Sequence, residues 1–289
     1  MSGWSHGKEA LKNGTYDTLK GSFYVNCAFY QGQDVTVEQS ADFPEFTAPN
    51  VWPQESSLPG FRETFEELCI LIIDSAVLVA RACDRYATEN IESYEPNYLE
   101  RIVKSSTTTK ARLLHYYPPD PSSTKVATSN PPHPTFSDHD SWCATHIDHG
   151  CLTGLTSALY IDEAANPPQL RRSASKAPSQ PLPVLPNLTA CPNPSTGLYV
   201  HARDSTITKV TIPYDCLAFQ TGEALQIITG GKFRAVPHFV RAGRVDERNM
   251  GVARNTLAIF TQPGISELVN KKDGTTFGQF SREVMGRFG

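Results

Sequence analysis

Positive charge is not in excess in this 289-residue chain. Lys and Arg number 26 against 30 Asp and Glu, for a net charge of -4 and a pI near 6.1. No basic field is present to draw in nucleic acid or an anionic membrane. The spacing C-x-x-C is also missing. The seven cysteines (Cys27, Cys69, Cys83, Cys143, Cys151, Cys191 and Cys216) are scattered and odd in number. That argues against a disulfide framework or a structural zinc site and fits a reducing compartment. Long apolar runs are lacking too. The longest, 69–82, carries Asp74 and Arg81 and is too short to span a bilayer, and the opening MSGWSHGKEALKNG has no stretch suited to a signal peptide. Without such a signal, the Asn187-Leu188-Thr189 sequon carries no weight. There is no internal repeat. The expectation is a soluble, cytoplasmic protein with neither nucleic acid nor membrane as partner.

What is present suits a globular fold, with 39% hydrophobic and 19% charged residues. Prolines 44, 49, 53 and 59 break up the first sixty residues. Phe61, Phe65, Leu68, Ile72, Ala76 and Val79 then recur at helical spacing, predicting a core-packing helix over 61–88. A shorter helix is predicted over 96–105, burying Tyr98, Leu99, Ile102 and Val103. Beyond Thr109 the texture turns to short strand-like runs at 111–117, 142–146, 153–161, 198–201, 209–212, 224–228, 236–240 and 255–260. Helices followed by many short strands predict a mainly β protein, a double-sheet jelly roll flanked by helices. Within it, 163–197 holds eight prolines and the polar cluster 171–176, and reads as a mobile solvated insertion. The expected organisation is an N-terminal irregular and helical region over 1–109, a core over 110–265 containing that insertion, and a C-terminal helix over 266–289.

Three places carry chemistry. His146-Ile147-Asp148 puts two metal-binding side chains at i and i+2, which share a face on a strand. The stretch 222–238 reads as a hairpin turning at Gly230-Gly231 and delivering His238 on its second strand. Arg254 and Thr256, again two apart, open an apolar strand and converge a guanidinium and a hydroxyl, a pair suited to a carboxylate. Taken singly, H-x-D arises by chance, His238 also fits a buried turn histidine, and Arg254 also fits a surface guanidinium. Two histidines and one carboxylate on one face of an octahedral ion leave three positions open, which non-haem Fe(II) oxygenases need.

LLHYYPP (113–119), THIDHGCLTGL (145–155), GEALQIITGGKFRAVPHFV (222–240) and RNTLAIFTQP (254–263), in that order, resemble the 2-oxoglutarate/Fe(II)-dependent dioxygenases of the isopenicillin N synthase-like superfamily. The resemblance implies a double-stranded β-helix (jelly-roll) core with His146, Asp148 and His238 on iron. It also implies Arg254 and Thr256 on the distal carboxylate of 2-oxoglutarate, with Tyr117 as a further contact. The implied activity is oxidation of a small organic molecule, by hydroxylation or desaturation, using Fe(II), 2-oxoglutarate and O₂. The alternatives are an oxidase of this fold that dispenses with 2-oxoglutarate, and a non-catalytic truncated isoform or binding protein that keeps the metal motif.

The sequence departs from the family pattern in three ways. Thr256 stands where the family has Ser, keeping the hydroxyl. His238 and Arg254 lie 16 positions apart, more than usual, so Arg241, Arg244 and Arg248 compete as the anchor; only Arg254 precedes a strand with the right hydroxyl spacing. Third, the family has a further N-terminal section, with an early core strand, before the part resembled by residues 3–9. An exposed sheet edge and self-association are therefore expected, unless residues 20–25 replace that strand. His133, His139, His149, Asp138 and Asp140 read as polar loop residues. His115 reads as a core histidine or a neighbour of the site, and Trp142 and Phe136 as core or substrate-side residues.

Overall fold

The computed structural model describes residues 2–8, 18–33, 43–118, 141–167, 184–242 and 250–286. The chain opens with strands β1 (Gly3–His6) and β2 (Lys20–Asn26), a 3-10 turn at Cys27–Gln31 and the single-turn helix α1 (Pro44–Thr47). Helices α2 (Phe61–Asn90) and α3 (Tyr98–Ser105) follow. Then come β3 (Lys110–Tyr116), β4 (Ser141–His146), β5 (Leu152–Thr156), β6 (Leu159–Asp162), β7 (Gly197–His201), β8 (Ile207–Val210) and β9 (Leu217–Thr221). Helix α4 (Glu223–Ile228), β10 (His238–Arg241), β11 (Val252–Thr261), the hairpin β12 (Leu268–Asn270) and β13 (Thr275–Thr276), and α5 (Phe277–Gly286) complete it.

Two antiparallel sheets face each other. The larger runs β1-β2-β3-β11-β5-β9, with β6 pairing β11 beyond β5; the smaller runs β4-β10-β7-β8. Strand parity divides the large sheet's two faces. On β11, Leu257 and Ile259 join Val25 and Ala111 against Phe65, Cys69, Ile72 and Ile73 of α2. Ala258 faces the other way, with Leu114 and Tyr116 of β3, onto Trp142, Leu198 and Val240 of the smaller sheet. Ile72 and Ile73 are wholly buried, each worth about 2–3 kcal/mol. At Gly154 a Cβ would lie 2.6 Å from the Ile72 side chain, so glycine lets α2 approach β5. Around α3, α4 and α5 a second cluster unites Ala80, Leu99, Ile102, Leu225, Phe277 and Val284. No side chain caps α3 from its own N-cap residue, Asn97. Buried Asp84 of α2 accepts the backbone N–H groups of Leu99 (2.9 Å) and Glu100 (2.7 Å) instead, satisfying donors the helix leaves open.

Several sequence expectations are corrected. Residues 224–228 form α4 rather than a strand: Ala224 and Leu225 are fully buried in the helical cluster, and the N–H groups of Glu223 and Ala224 bond the carbonyls of Asp148 and His149. The run 153–161 breaks into β5 and β6 at Ser157-Ala158. From 266 the chain forms the β12–β13 hairpin before becoming helical at Phe277. Part of the insertion is docked: the Leu188 N–H donates to the Tyr160 carbonyl (2.7 Å) and the Tyr160 N–H to Asn187 Oδ1 (2.9 Å). Residues 168–183 of it lie outside the described residues. On the flank of β3, β2 pairs along its whole length and β1 pairs β2 in turn, so residues 20–25 occupy that sheet position. Among the described residues no helix is long and apolar enough to cross a membrane.

Candidate metal centre

His146 ends β4, and His238 opens β10 directly opposite it in the antiparallel register. Their rings are 4.2 Å apart between centroids. Asp148 is not on the strand, as its spacing from His146 had suggested, but in the loop just past it. That loop is held down where Gly222 packs on it: a Cβ at Gly222 would collide with the Gly150 carbonyl. From there Asp148 Oδ1 lies 3.8 Å from Nε2 of each histidine. The potential ligand atoms of the three residues lie within 4.8 Å of one another. Asp148 and His238 are buried, while His146 stands at the mouth with its side chain 40% exposed.

Neighbouring groups fix how these side chains point. His146 Nδ1 is 2.8 Å from the Ala144 carbonyl and His238 Nδ1 2.9 Å from the Val236 carbonyl. A carbonyl only accepts, so each Nδ1 carries a proton and each Nε2 is the atom turned to the centre, the one a metal would take. Thr153 Oγ1 donates to Asp148 Oδ2 at 2.6 Å, and the Gln220 amide donates to the same oxygen. Both bonds engage Oδ2 and leave Oδ1 facing the histidines. Gln220 Nε2 also lies 3.1 Å from His238 Nε2, a contact that a metal would replace. Burial opposes charge on His146, but the Cys143 thiol at 3.7 Å, the Ala144 carbonyl and Asp148 outweigh it and raise its pKa to about 9. Burial lowers that of His238, against the pull of Asp148. Two imidazole nitrogens and one carboxylate oxygen, meeting on one side, suit a divalent ion with positions left open.

A cavity extends from this group between the sheets, with about 570 Å³ of space counting its open mouth. Arg254 and Thr256 line it, both buried. Among the described residues Arg254 Nε and Nη1 have no hydrogen-bond partner. A buried guanidinium with open donors fits a carboxylate, since leaving it unpaired is costly. Its carbon lies 5.2 Å from the centre of the Tyr116 ring, and Tyr116 is its register partner on β3. Tyr117, the tyrosine expected here, is not among the cavity's lining residues. It packs on His6 and His115, because one step along a strand reverses the face. Tyr160, paired with Arg254 from β6, was also missed; its phenol is raised by burial, partly offset by Arg254.

The remaining candidates sort as follows. His149 pairs with Glu223 at 3.3 Å. His115 bonds Asn255 Oδ1 at 2.7 Å and lies 3.4 Å from Glu163. Trp142 packs in the core. His133, Phe136, Asp138, His139, Asp140, Arg244 and Arg248 lie outside the described residues, and Arg241 ends β10. No motif in the sequence marks Thr153 or Gln220: the expected strands include Thr153 only as the start of 153–161, and none covers 217–221.

No family profile and no curated protein matches the sequence. Solved structures do match its fold. A full-length Neurospora crassa protein, solved in complex with alpha-KG, superposes with a TM-score of 0.63 at 15% identity, over 99% of this chain and 73% of that one. A Caulobacter crescentus protein assigned to the 2OG-Fe(II) oxygenase family gives 0.62 at 18%, over 100% and 76%. JOX2, solved with 2OG, Fe and JA, gives 0.52 at 16%, over 98% and 64%. At such identities the likeness speaks for the fold, and the chain has the jelly-roll fold of the 2OG-Fe(II) oxygenases.

Proposed function

We propose that this protein is an Fe(II)- and 2-oxoglutarate-dependent oxygenase acting on a small organic molecule, with His146, Asp148 and His238 as iron ligands. The observation that carries the reading is the meeting of two donor sets in one cavity: the His146–Asp148–His238 group and the buried Arg254 with open guanidinium donors. Arg254 and Thr256 hold the distal carboxylate of 2-oxoglutarate, with Tyr116 rather than Tyr117 beside them. Iron, when bound with O₂ and 2-oxoglutarate, supplies the oxidation, and 2-oxoglutarate leaves as succinate and CO₂. The chain's own part is to hold both Nε2 lone pairs and one carboxylate oxygen toward the ion, to anchor the co-substrate, and to keep water out. For the last task the cavity offers the apolar side chains Leu114, Leu155, Leu198, Ile212, Val240 and Phe260.

The test is release of succinate from 2-oxoglutarate by the purified, anaerobically iron-loaded protein once air is admitted. Succinate forming with iron and not without it supports the reading. Stoichiometric Fe(II) binding with no succinate, across a broad metabolite panel, points to a binding protein of the same fold. Substrate oxidation without 2-oxoglutarate points to the co-substrate-independent oxidase.

A further inference from the structure

We propose that Arg112 anchors an acidic group of the substrate, so that the cavity takes small organic carboxylates. The proposal rests on the oxygenase reading for what happens to such a molecule, though not for its binding. Arg112, on β3, lines the same cavity as the metal centre. Its Nε donates to Ser22 Oγ at 3.0 Å, and its guanidinium carbon lies 4.9 Å from the centre of the Tyr24 ring. The strand flanking β3 thus fixes the plane of the guanidinium, which is the costly part of preparing a two-pronged carboxylate contact.

Register separates Arg112 from the co-substrate anchor. Arg112 pairs with Ala258, while Tyr116 pairs with Arg254; four residues along the strands is roughly 13 Å. The two arginines therefore rise from well-separated points on the cavity floor, which leaves Arg112 for a second acidic group. Across the sheet the arrangement differs. Ala258 pairs with Arg112 on one side and with Leu155 of β5 on the other, so Arg112 stands two strand spacings, about 10 Å, from the strand whose Thr153 holds Asp148. A compact acid can thus be gripped at Arg112 and present a carbon toward the metal centre. The wall between is apolar (Leu114, Leu155, Ala258, Phe260), which suits a hydrocarbon body and strengthens a charge pair by excluding water. Buried Lys20 adds to the field on this flank.

Calorimetric titration with matched probes tests this: 3-phenylpropionate against 3-phenylpropionamide, and hexanoate against hexanamide. Each is run with Mn(II) and 2-oxoglutarate present, and again in metal-free protein. The expected result is that the acids bind about tenfold or more tighter than their amides. Arg112→Gln brings the two within about twofold, and Arg112→Lys, keeping charge without the fork, lies between. Equal binding of acid and amide to the unaltered protein overturns the proposal, as does a preference that survives in a folded Arg112→Gln variant. Phenyl phosphate binding more than tenfold tighter than phenylpropionate overturns the carboxylate assignment. If iron-dependent succinate release fails, the acid preference is still read in the metal-free protein. If succinate forms without any acid preference, only the role of Arg112 is lost.

Discussion

Thr153 Oγ1 lies 2.6 Å from Asp148 Oδ2, so the carboxylate of the metal centre is oriented by a buried hydroxyl from the next strand. Gln220, on β9, donates to the same oxygen. With Oδ2 engaged twice, Asp148 offers Oδ1 alone to an ion, which leaves other ligand positions open. Such supporting bonds are worth about 10–100-fold in metal affinity. Thr153→Val keeps the side-chain shape and removes the donor, so it is expected to weaken Mn(II) or Fe(II) binding by about tenfold. The double variant with Gln220→Leu is expected to lose more than either alone. Metal titration of the folded variants checks this, and unchanged affinity in the double variant would remove both residues from the centre.

Replacing His146, Asp148 or His238 singly with Ala is expected to abolish Fe(II) binding and turnover. The far-ultraviolet circular dichroism should stay nearly unchanged. His146 ends its strand and Asp148 lies beyond it, so neither holds the sheets together. Full iron affinity in any of the three variants counts against the assignment.

A pH-dependent element of stability lies where α3 meets the turn before β12. Arg101 of α3 grips Glu267 with two bonds of 2.9 and 3.1 Å, tying that helix to the turn before β12. The Arg101 bonds hold the Glu267 carboxyl below its ordinary value, against burial. A depressed carboxyl contributes stability above its unfolded pKa, and that contribution fades as pH falls through the folded one. Because the Arg101 side chain is 47% exposed, solvent screening keeps the effect near ~0.5 kcal/mol. Glu267→Gln is therefore expected to be less stable by about that amount at pH 7 and to match the parent near pH 3. Urea melts at both pH values measure it; a gap that persists at pH 3 assigns the loss to packing instead.

How legible the site was depended on whether local pattern or distant pairing places a residue. The 61–88 periodicity, the H-x-D spacing and the parity of Arg254 and Thr256 are local, and the helix and the cavity-facing pair stand where those patterns put them. Tyr116 and Tyr117 differ by one step, and only the pairing of Tyr116 with Arg254 selects between them. Residues 224–228 are expected as a strand and form a helix, since a short apolar run has no period of its own. The packing of Ala224 and Leu225 against the helical cluster decides for helix. Gln220 and Arg112 are tied to the site by strands remote in sequence, and no local motif marks them.

Arg254→Lys bears most directly on the co-substrate. The sequence favours Arg254 over Arg241, Arg244 and Arg248 because Thr256 follows it at strand parity. In the structure both residues sit buried on the cavity face of β11. Arg254 Nε and Nη1 have no partner among the described residues, which is costly unless a ligand carboxylate fills the gap. Lysine keeps the charge but offers one ammonium where two prongs are needed. Losing a charge-assisted bond costs about 1.5–3 kcal/mol, so 2-oxoglutarate affinity should fall by about 10–100-fold. Fe(II) affinity should hold within about twofold, because Arg254 is not part of the ligand group. Titrating each ligand into the iron-loaded or metal-free variant separates the two effects. If Arg248→Lys loses 2-oxoglutarate binding and Arg254→Lys does not, the anchor lies in the preceding stretch, and the open donors of Arg254 serve another ligand.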